Sequence, residues 1–271
     1  MIIYASHGII GSIDPHCLAH RNLISSKSLL DFAIKHQNAI VDIDKALRNE
    51  AGIVLTIDDN TKASYDAAKL LSERGIPVVW FINPANLLSD TTYSFAELNA
   101  LLDSVKNGVV EYGNGKYNME DYHQKKRLRK NIKEYMHRHL KSEHERIRYI
   151  KQLAQEIGCE IYKIPPEAET ISLSQVLSLN MDFVTIMNHL WEHNFTDVEE
   201  YDSLKKNIVQ GKEWLEKTFS KTVDHHALPY GLYSPTVQNM LEDEFYYLLD
   251  NRYPEGKIGK NIINRKTLVL P

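Results

Sequence analysis

The chain has 271 residues, 43% apolar and 25% charged, enough for one domain with a full core and at odds with disorder, collagen or coiled coil. Thirty-six Asp and Glu against thirty-two Lys and Arg leave a formal charge of −4, which argues against a nucleic-acid binder. Two cysteines build no disulfide framework, no apolar run nears the ~20 residues of a membrane span, and Met1-Ile2-Ile3-Tyr4-Ala5 has no basic signal-peptide start, so a soluble, cytoplasmic protein is expected.

Ile53-Val54-Leu55-Thr56-Ile57 is a continuous apolar run of strand length. Ala63 to Arg74 follows at helical spacing and stops at Gly75, where glycine closes a helix. Pro77 to Ile82 is the next strand, so residues 53–82 form one βαβ unit. Residues 124–148 differ in kind, with ten Lys or Arg against three Glu, a local balance of +7. Tyr122, Leu128, Ile132, Tyr135 and Leu140 recur there at roughly helical intervals, which predicts a basic amphipathic helical segment. It is placed as a helical insertion at about 95–165 within a single domain spanning 1–271. Such a patch is either a solvated face or an attractor for an anionic carrier or an acidic partner.

Further on, Phe183 to Met187 reads as a strand, Val198 to Thr218 as a long helix and Val223 to Leu228 as a strand. Ser234-Pro235 starts a short helix with proline at an early position, and Phe245 to Leu249 and Ile262 to Leu270 supply the last strands. Strand-length runs alternating with amphipathic stretches argue an α/β architecture with mainly parallel strands.

Three places could carry chemistry. Asp58-Asp59 directly follows the strand 53–57, at the end where parallel α/β folds place their ligands. Two adjacent carboxylates there could divide the work of base and metal ligand, or Asp59-Asn60 could simply cap the next helix. His189-Leu190-Trp191-Glu192-His193 follows another strand, and two imidazoles four apart converge on one metal if the segment is a helical turn. The string also spells the H-x-x-E-H peptidase signature, which needs a long helix rather than a strand running into His189. Ala227-Leu228-Pro229-Tyr230-Gly231 sits at a third strand end, where a turn can be plain or can aim backbone N–H groups at a developing oxyanion.

Taken in order, these sites resemble the polysaccharide deacetylase family of carbohydrate esterases. The family's T-F-D-D-G motif is similar to Thr56-Ile57-Asp58-Asp59-Asn60, its N-H-[ST]-x-x-H motif to Asn188-His189-Leu190-Trp191-Glu192-His193, and its F-A-Y-P-Y-G variant to His226-Ala227-Leu228-Pro229-Tyr230-Gly231. The resemblance spans 1–90 and 165–271. It implies a distorted, incomplete (β/α) barrel in which Asp59, His189 and His193 hold a divalent metal. Zinc suits one Asp and two His, and cobalt, nickel and manganese are tolerated. The resemblance further implies Asp58 as general base, an oxyanion held near Tyr230, and Pro229 and Trp191 against the substrate. The implied reaction is metal-dependent hydrolysis of an N-acyl group, N-acetyl above all, from a sugar or glycan precursor, with release of acetate.

Asn60 departs from the motif's glycine and Leu190 from its Ser or Thr, and the family's late leucine-x-histidine motif is missing, since no histidine follows His226. The branch related to poly-N-acetylglucosamine deacetylases carries a histidine on its first strand instead. Here that strand is Ile2-Ile3-Tyr4-Ala5-Ser6-His7-Gly8, which makes His7 the expected general acid. The alternative is a catalytically weakened relative acting as a carbohydrate-binding or scaffolding module, and retention of Asp58 speaks against it. His16 and His20, and the basic-segment histidines His137, His139 and His144, are expected to be plain surface. His225 and His226 either line the cleft or finish a strand.

Overall fold

The computed structural model describes residues 1–89, 91–106, 108–159, 162–231, 246–249, 256–257 and 262–270. Its centre is a nine-stranded sheet. From one edge to the other the strands are Gly256–Lys257, Ile262–Asn264, Tyr246–Leu249, His225–Ala227, Val184–Asn188, Val78–Ile82, Ile53–Asp58, Ile2–Ser6 and Lys266–Thr267. Among the described residues every pairing in this sheet is parallel except the edge pair Gly256–Lys257 with Ile262–Asn264. Parallel strands need both faces covered, which explains the unbroken apolar runs: all five residues of Val78–Ile82 are buried, as are five of the six in Ile53–Asp58.

Ile262–Asn264 and Lys266–Thr267 lie near opposite edges of this order, yet only Arg265 separates them. So few residues span at most about 10 Å, so the sheet must curl until its edges meet at Arg265. The architecture is the distorted (β/α) barrel expected. The single strand read over Ile262 to Leu270 is therefore two short ones with a bend between them. The helix expected at Ser234-Pro235, and Phe245 of the expected strand 245–249, lie outside the described residues.

The helix Lys62–Ser72 packs on the sheet after Ile53–Asp58 and buries Ala63, Ala67, Ala68 and Leu71. Its cap is Thr61, whose Oγ1 accepts from Ser64 N at 3.2 Å, so Asp59 and Asn60 are released from the capping role that the sequence also allowed. Gly75 has φ +69 and closes that helix as expected. The long helix begins at Tyr201 rather than Val198 and ends at Phe219.

Residues 94–156 form a separate layer: the helices Ser94–Ser104, Tyr122–His139 and Glu143–Glu156, and a hairpin of Val109–Tyr112 with Gly115–Asn118. The hairpin turns on Gly113-Asn114, a two-residue loop with the residue types such turns favour. The layer has its own core, in which Leu98, Leu101 and Leu102 meet Leu128, Ile132, Met136 and Ile150. The buried stripe of Tyr122–His139 is thus Leu128, Ile132 and Met136, and Tyr135, expected inside, is 41% exposed. Spacing by four keeps the stripe in line with the core, whereas Tyr135 falls one residue off it. Among the described residues no helix is long and apolar enough to cross a membrane.

Candidate active site

The site is built at the carboxyl ends of three neighbouring strands. Asp58 is the last residue of Ile53–Asp58, and Asp59 turns out of it with φ +70, a conformation unusual for a non-glycine residue. The Trp80 indole holds that turn by donating to Asp59 O at 2.7 Å. Asn60, which replaces the motif's glycine, is fully buried; it donates from Nδ2 to Asn83 O at 2.6 Å and accepts from Asn83 N at 2.9 Å. Asn83 in turn donates from Nδ2 to the backbone oxygens of His189 and, at 3.2 Å, Leu190. The tie that the family's Ser or Thr would supply at position 190 therefore comes from across the sheet. Leu190 itself is buried with φ +66.

The His189–His193 segment is an irregular loop rather than the helical turn that the four-residue spacing suggested, yet the two imidazoles converge, with ring centroids 5.1 Å apart. His189 Nδ1 lies 2.8 Å from Ala227 O, which fixes this nitrogen as the protonated one and leaves Nε2 as an acceptor. Nε2 of His189 and of His193 lie 3.5 and 3.4 Å from Asp59 Oδ1. These three donors are buried and form one grouping able to hold a metal. Oδ1 has no hydrogen-bond partner among the described residues, and the edge of a tetrahedron with metal–ligand bonds of about 2.0–2.1 Å is about 3.3–3.4 Å. The donor set fits a zinc-like cation.

Burial disfavours charge on all three groups. The nearby imidazoles overcome it for Asp59 and hold its carboxyl below the ordinary range. Burial, reinforced by His189 and by the cations Arg146 and Lys133, brings His193 down to about 3 despite Asp59, so it is neutral, as a ligand must be. His189 is raised, because the carboxylates beside it outweigh burial.

Arg265, at the meeting of the sheet edges, is the functional residue the sequence reading missed. Its Nη1 and Nη2 donate to the two oxygens of Asp58 at 2.7 and 2.6 Å, and Nη1 also donates to Thr56 Oγ1 at 3.0 Å. Burial alone would raise Asp58, but this fork, helped by His189, holds it far below the usual carboxylate range. Arg146, which sequence counting places among the solvated cations, is fully buried as well. It pairs with Glu143 at 2.8 Å and donates to His193 O and Asn194 Oδ1, each at 2.9 Å, tying the helical layer to the histidine loop.

Asp58, Asp59, His7, His189, His193 and Tyr230 all line one cavity of about 110 Å³. His7 follows the strand Ile2–Ser6, and its Nδ1 is buried without a hydrogen-bond partner among the described residues. Gly8, at φ +115, makes the turn beside it, and a Cβ there would lie 2.3 Å from the Ala63 carbonyl carbon. Tyr230 sits in the turn Pro229–Gly231 with φ 59, its ring 4.5 Å from that of His193.

Trp191 and Pro229, expected against the substrate, do not line this cavity. Trp191 donates from N to Asn207 O and borders a separate recess with Glu192, Glu199 and Lys206, because the left-handed turn at Leu190 sends it toward the helix Tyr201–Phe219. Pro229 is buried at the start of its turn. His225 and His226 also stay outside: His225 pairs with Asp224 at 2.6 Å and His226 Nδ1 accepts from Asn188 Nδ2. His20, expected as plain surface, is joined to Glu167 at 2.8 Å, and His137, likewise expected to be solvated, meets Asp197 at 2.9 Å.

Residues 169–248 match the polysaccharide deacetylase family. The matched stretch contains His189, His193 and Tyr230, and the family expectation drawn from the motifs is met there. A Streptococcus pyogenes deacetylase, PplD, in complex with acetate superposes with a TM-score of 0.61 at 13% identity, over 100% of this chain and 92% of that one. IcaB from Ammonifex degensii gives 0.54 at 12% identity, over 99% and 91%. A de-N-acetylase from Aggregatibacter actinomycetemcomitans gives 0.51 at 14% identity, over 98% and 94%. At such identities these likenesses establish the fold. No curated protein matches in sequence. The polysaccharide deacetylase match supports sugar deacetylation as the general activity.

Proposed function

We propose that the protein is a metal-dependent deacetylase that hydrolyses the N-acyl group, N-acetyl above all, of a sugar. The observation that carries this reading is the convergence of Asp59, His189 and His193 in one cavity with a second carboxylate, Asp58, that is not among them. A module that merely bound sugar would have no use for that second carboxylate. Asp59, His189 and His193 would hold a divalent cation, zinc being the best match, which would supply Lewis acidity to the amide carbonyl and acidity to water.

The chain's own groups do the rest. Asp58, ionised and aimed by Arg265, accepts a proton from the attacking water as the new C–O bond forms. The C–N bond then breaks, and the amine cannot leave as an anion, so His7 donates the proton to nitrogen. The Tyr230 turn forms the wall against which the carbonyl oxygen gathers charge. Asn60 and Leu190, where the sequence departs from the family pattern, are absorbed into backbone ties and packing rather than into the donor set.

The test is acetate release from a panel of N-acetylated sugars before and after chelation, with divalent metals added back. Release that is lost on chelation and restored by zinc or cobalt is expected. A protein that keeps its metal yet releases neither acetate nor formate from any substrate would make it a carbohydrate-binding relative instead.

A further inference from the structure

A second recess adjoins the triad cavity, and Arg21, Arg129 and Lys133 line both. Its lining is Arg21, Lys126, Arg127, Arg129, Lys130 and Lys133, all six of them cationic side chains. Lys126, Arg129, Lys130 and Lys133 fall at i, i+3, i+4 and i+7 of the helix Tyr122–His139 and so form one stripe, while Leu128, Ile132 and Met136 anchor another face in the layer's core. Arg21 comes from the loop between Ile9–Ile10 and Ile24–Ser25.

An ordinary solvated face spreads its charges into water. Here they are turned into a concavity, and two guanidiniums are held against their own repulsion. Burial first, then the charge of Arg21, brings Arg129 down to about 10, and its Nε is fixed by Asn99 Oδ1 at 2.5 Å. Lys125 is paired with Asp103 at 3.6 Å and lies outside the recess, and of the recess cations Lys130 meets the Glu134 carboxylate one turn on at 3.7 Å. The cationic wall also reaches the triad: Lys133 Nζ is 4.1 Å from the Tyr230 ring centroid, and that ring is 4.5 Å from the ring of His193.

We propose that the substrate is an N-acylated sugar esterified to phosphate, its phosphate or diphosphate seated among these six side chains while the acyl group meets the triad. This inference rests on the deacetylase reading above. A neutral sugar chain brings no counter-charge to a recess lined by six cations, and a single carboxylate brings only one. A diphosphate brings several negative oxygens at the spacing that guanidinium forks and ammonium groups grip. The shared chemistry is a sugar phosphate ester, whether the far side of the phosphate is a nucleoside or a lipid.

The experiment has two arms. The first compares kcat/KM for acetate release from UDP-N-acetylglucosamine, N-acetylglucosamine 1-phosphate, a short-chain polyprenyl diphosphate N-acetylglucosamine and unphosphorylated diacetylchitobiose. The second measures pyrophosphate binding by calorimetry for the intact protein and for the double variant Lys126→Glu, Lys130→Glu, whose two side chains are exposed and can be reversed without disturbing the core. The expected result is a preference of about tenfold or more for phosphorylated sugars, and a loss of about tenfold or more in pyrophosphate affinity in the variant, the equivalent of one charge-assisted contact. The ranking among the phosphorylated sugars tells a nucleotide carrier from a lipid one. Acetate release without a phosphate preference, or pyrophosphate binding unchanged in the variant, overturns the inference and leaves the deacetylase reading standing. Pyrophosphate bound through these lysines with no acetate released from any sugar supports the recess and counts against the deacetylase reading.

Discussion

The barrel and the helical layer 94–156 meet at one pocket and carry opposite charge. The layer has thirteen Lys and Arg against nine Asp and Glu, a balance of +4, while the remaining residues have nineteen against twenty-seven, a balance of −8. The barrel uses its charge inside: Asp58 and Asp59 are buried at strand ends, and one buried arginine, Arg265, balances Asp58. The layer uses most of its charge outside, on a helix face that rims the pocket, and sends a single fully buried cation, Arg146, to grip the histidine loop. Reacting groups need positions set by the backbone of a rigid sheet, whereas recognition of a charged substrate can sit on a helix stripe that changes without touching the triad.

Removing the barrel's arginine should break this arrangement hardest. Arg265→Gln strips a buried carboxylate of its partner, so a loss of about 3–5 kcal/mol at neutral pH is expected, the usual result of leaving one buried charge alone. The pH dependence carries the sign. In the intact protein Asp58 is lowered below its unfolded value, so the stability it contributes is present above the ordinary carboxylate pKa of about 4 and is lost as pH falls through the lower folded value. In the variant burial acts unopposed by Arg265 and raises Asp58, so the deficit relative to the intact protein should shrink as pH falls. Urea midpoints measured between about pH 4 and about pH 7 check this, and a deficit that stays constant across that range would contradict the pairing.

The layer's arginine should cost less. Arg146→Met keeps the bulk of the side chain, and Glu143 retains Ser94 Oγ at 2.8 Å and the Ser94 backbone N–H as donors. A loss of about 2–3 kcal/mol is expected, from the half-satisfied Glu143 and the His193 oxygen left without its donor. The readout that separates docking from mere stability is hydrogen exchange, which should rise in the histidine loop as well as in the helix Glu143–Glu156, while the strand Ile53–Asp58 stays protected.

Local pattern made the barrel legible, and long-range closure hid its key arginine. Ile53–Asp58, Val78–Ile82 and Val184–Asn188 stand out because strands buried on both faces need unbroken apolar runs. Asp58, Asp59, His189 and His193 stand out through motif order. Arg265 does not, because it lies 207 residues from Asp58 and the run Ile262 to Leu270 carries no mark of the bend that brings the sheet edges together. Arg146 looks like any other of the ten cations in 124–148, and only Glu143, three residues earlier on the same helix, hinted at a buried pair. The hairpin 109–118 did leave a signal in Gly113-Asn114 between short runs containing Val and Tyr. At Trp191 the four-residue histidine spacing misled, since a left-handed Leu190 replaces the helical turn that spacing suggests.

The central claim is that Asp59, His189 and His193 share one cation. The most direct measurement is metal content per chain for the intact protein and for His189→Ala and His193→Ala, each checked for folding by circular dichroism. The barrel's core does not run through the site, so the variants should fold. The account predicts one divalent ion per intact chain and none in either variant, with acetate release lost alongside it. Metal content unchanged in both variants would contradict it.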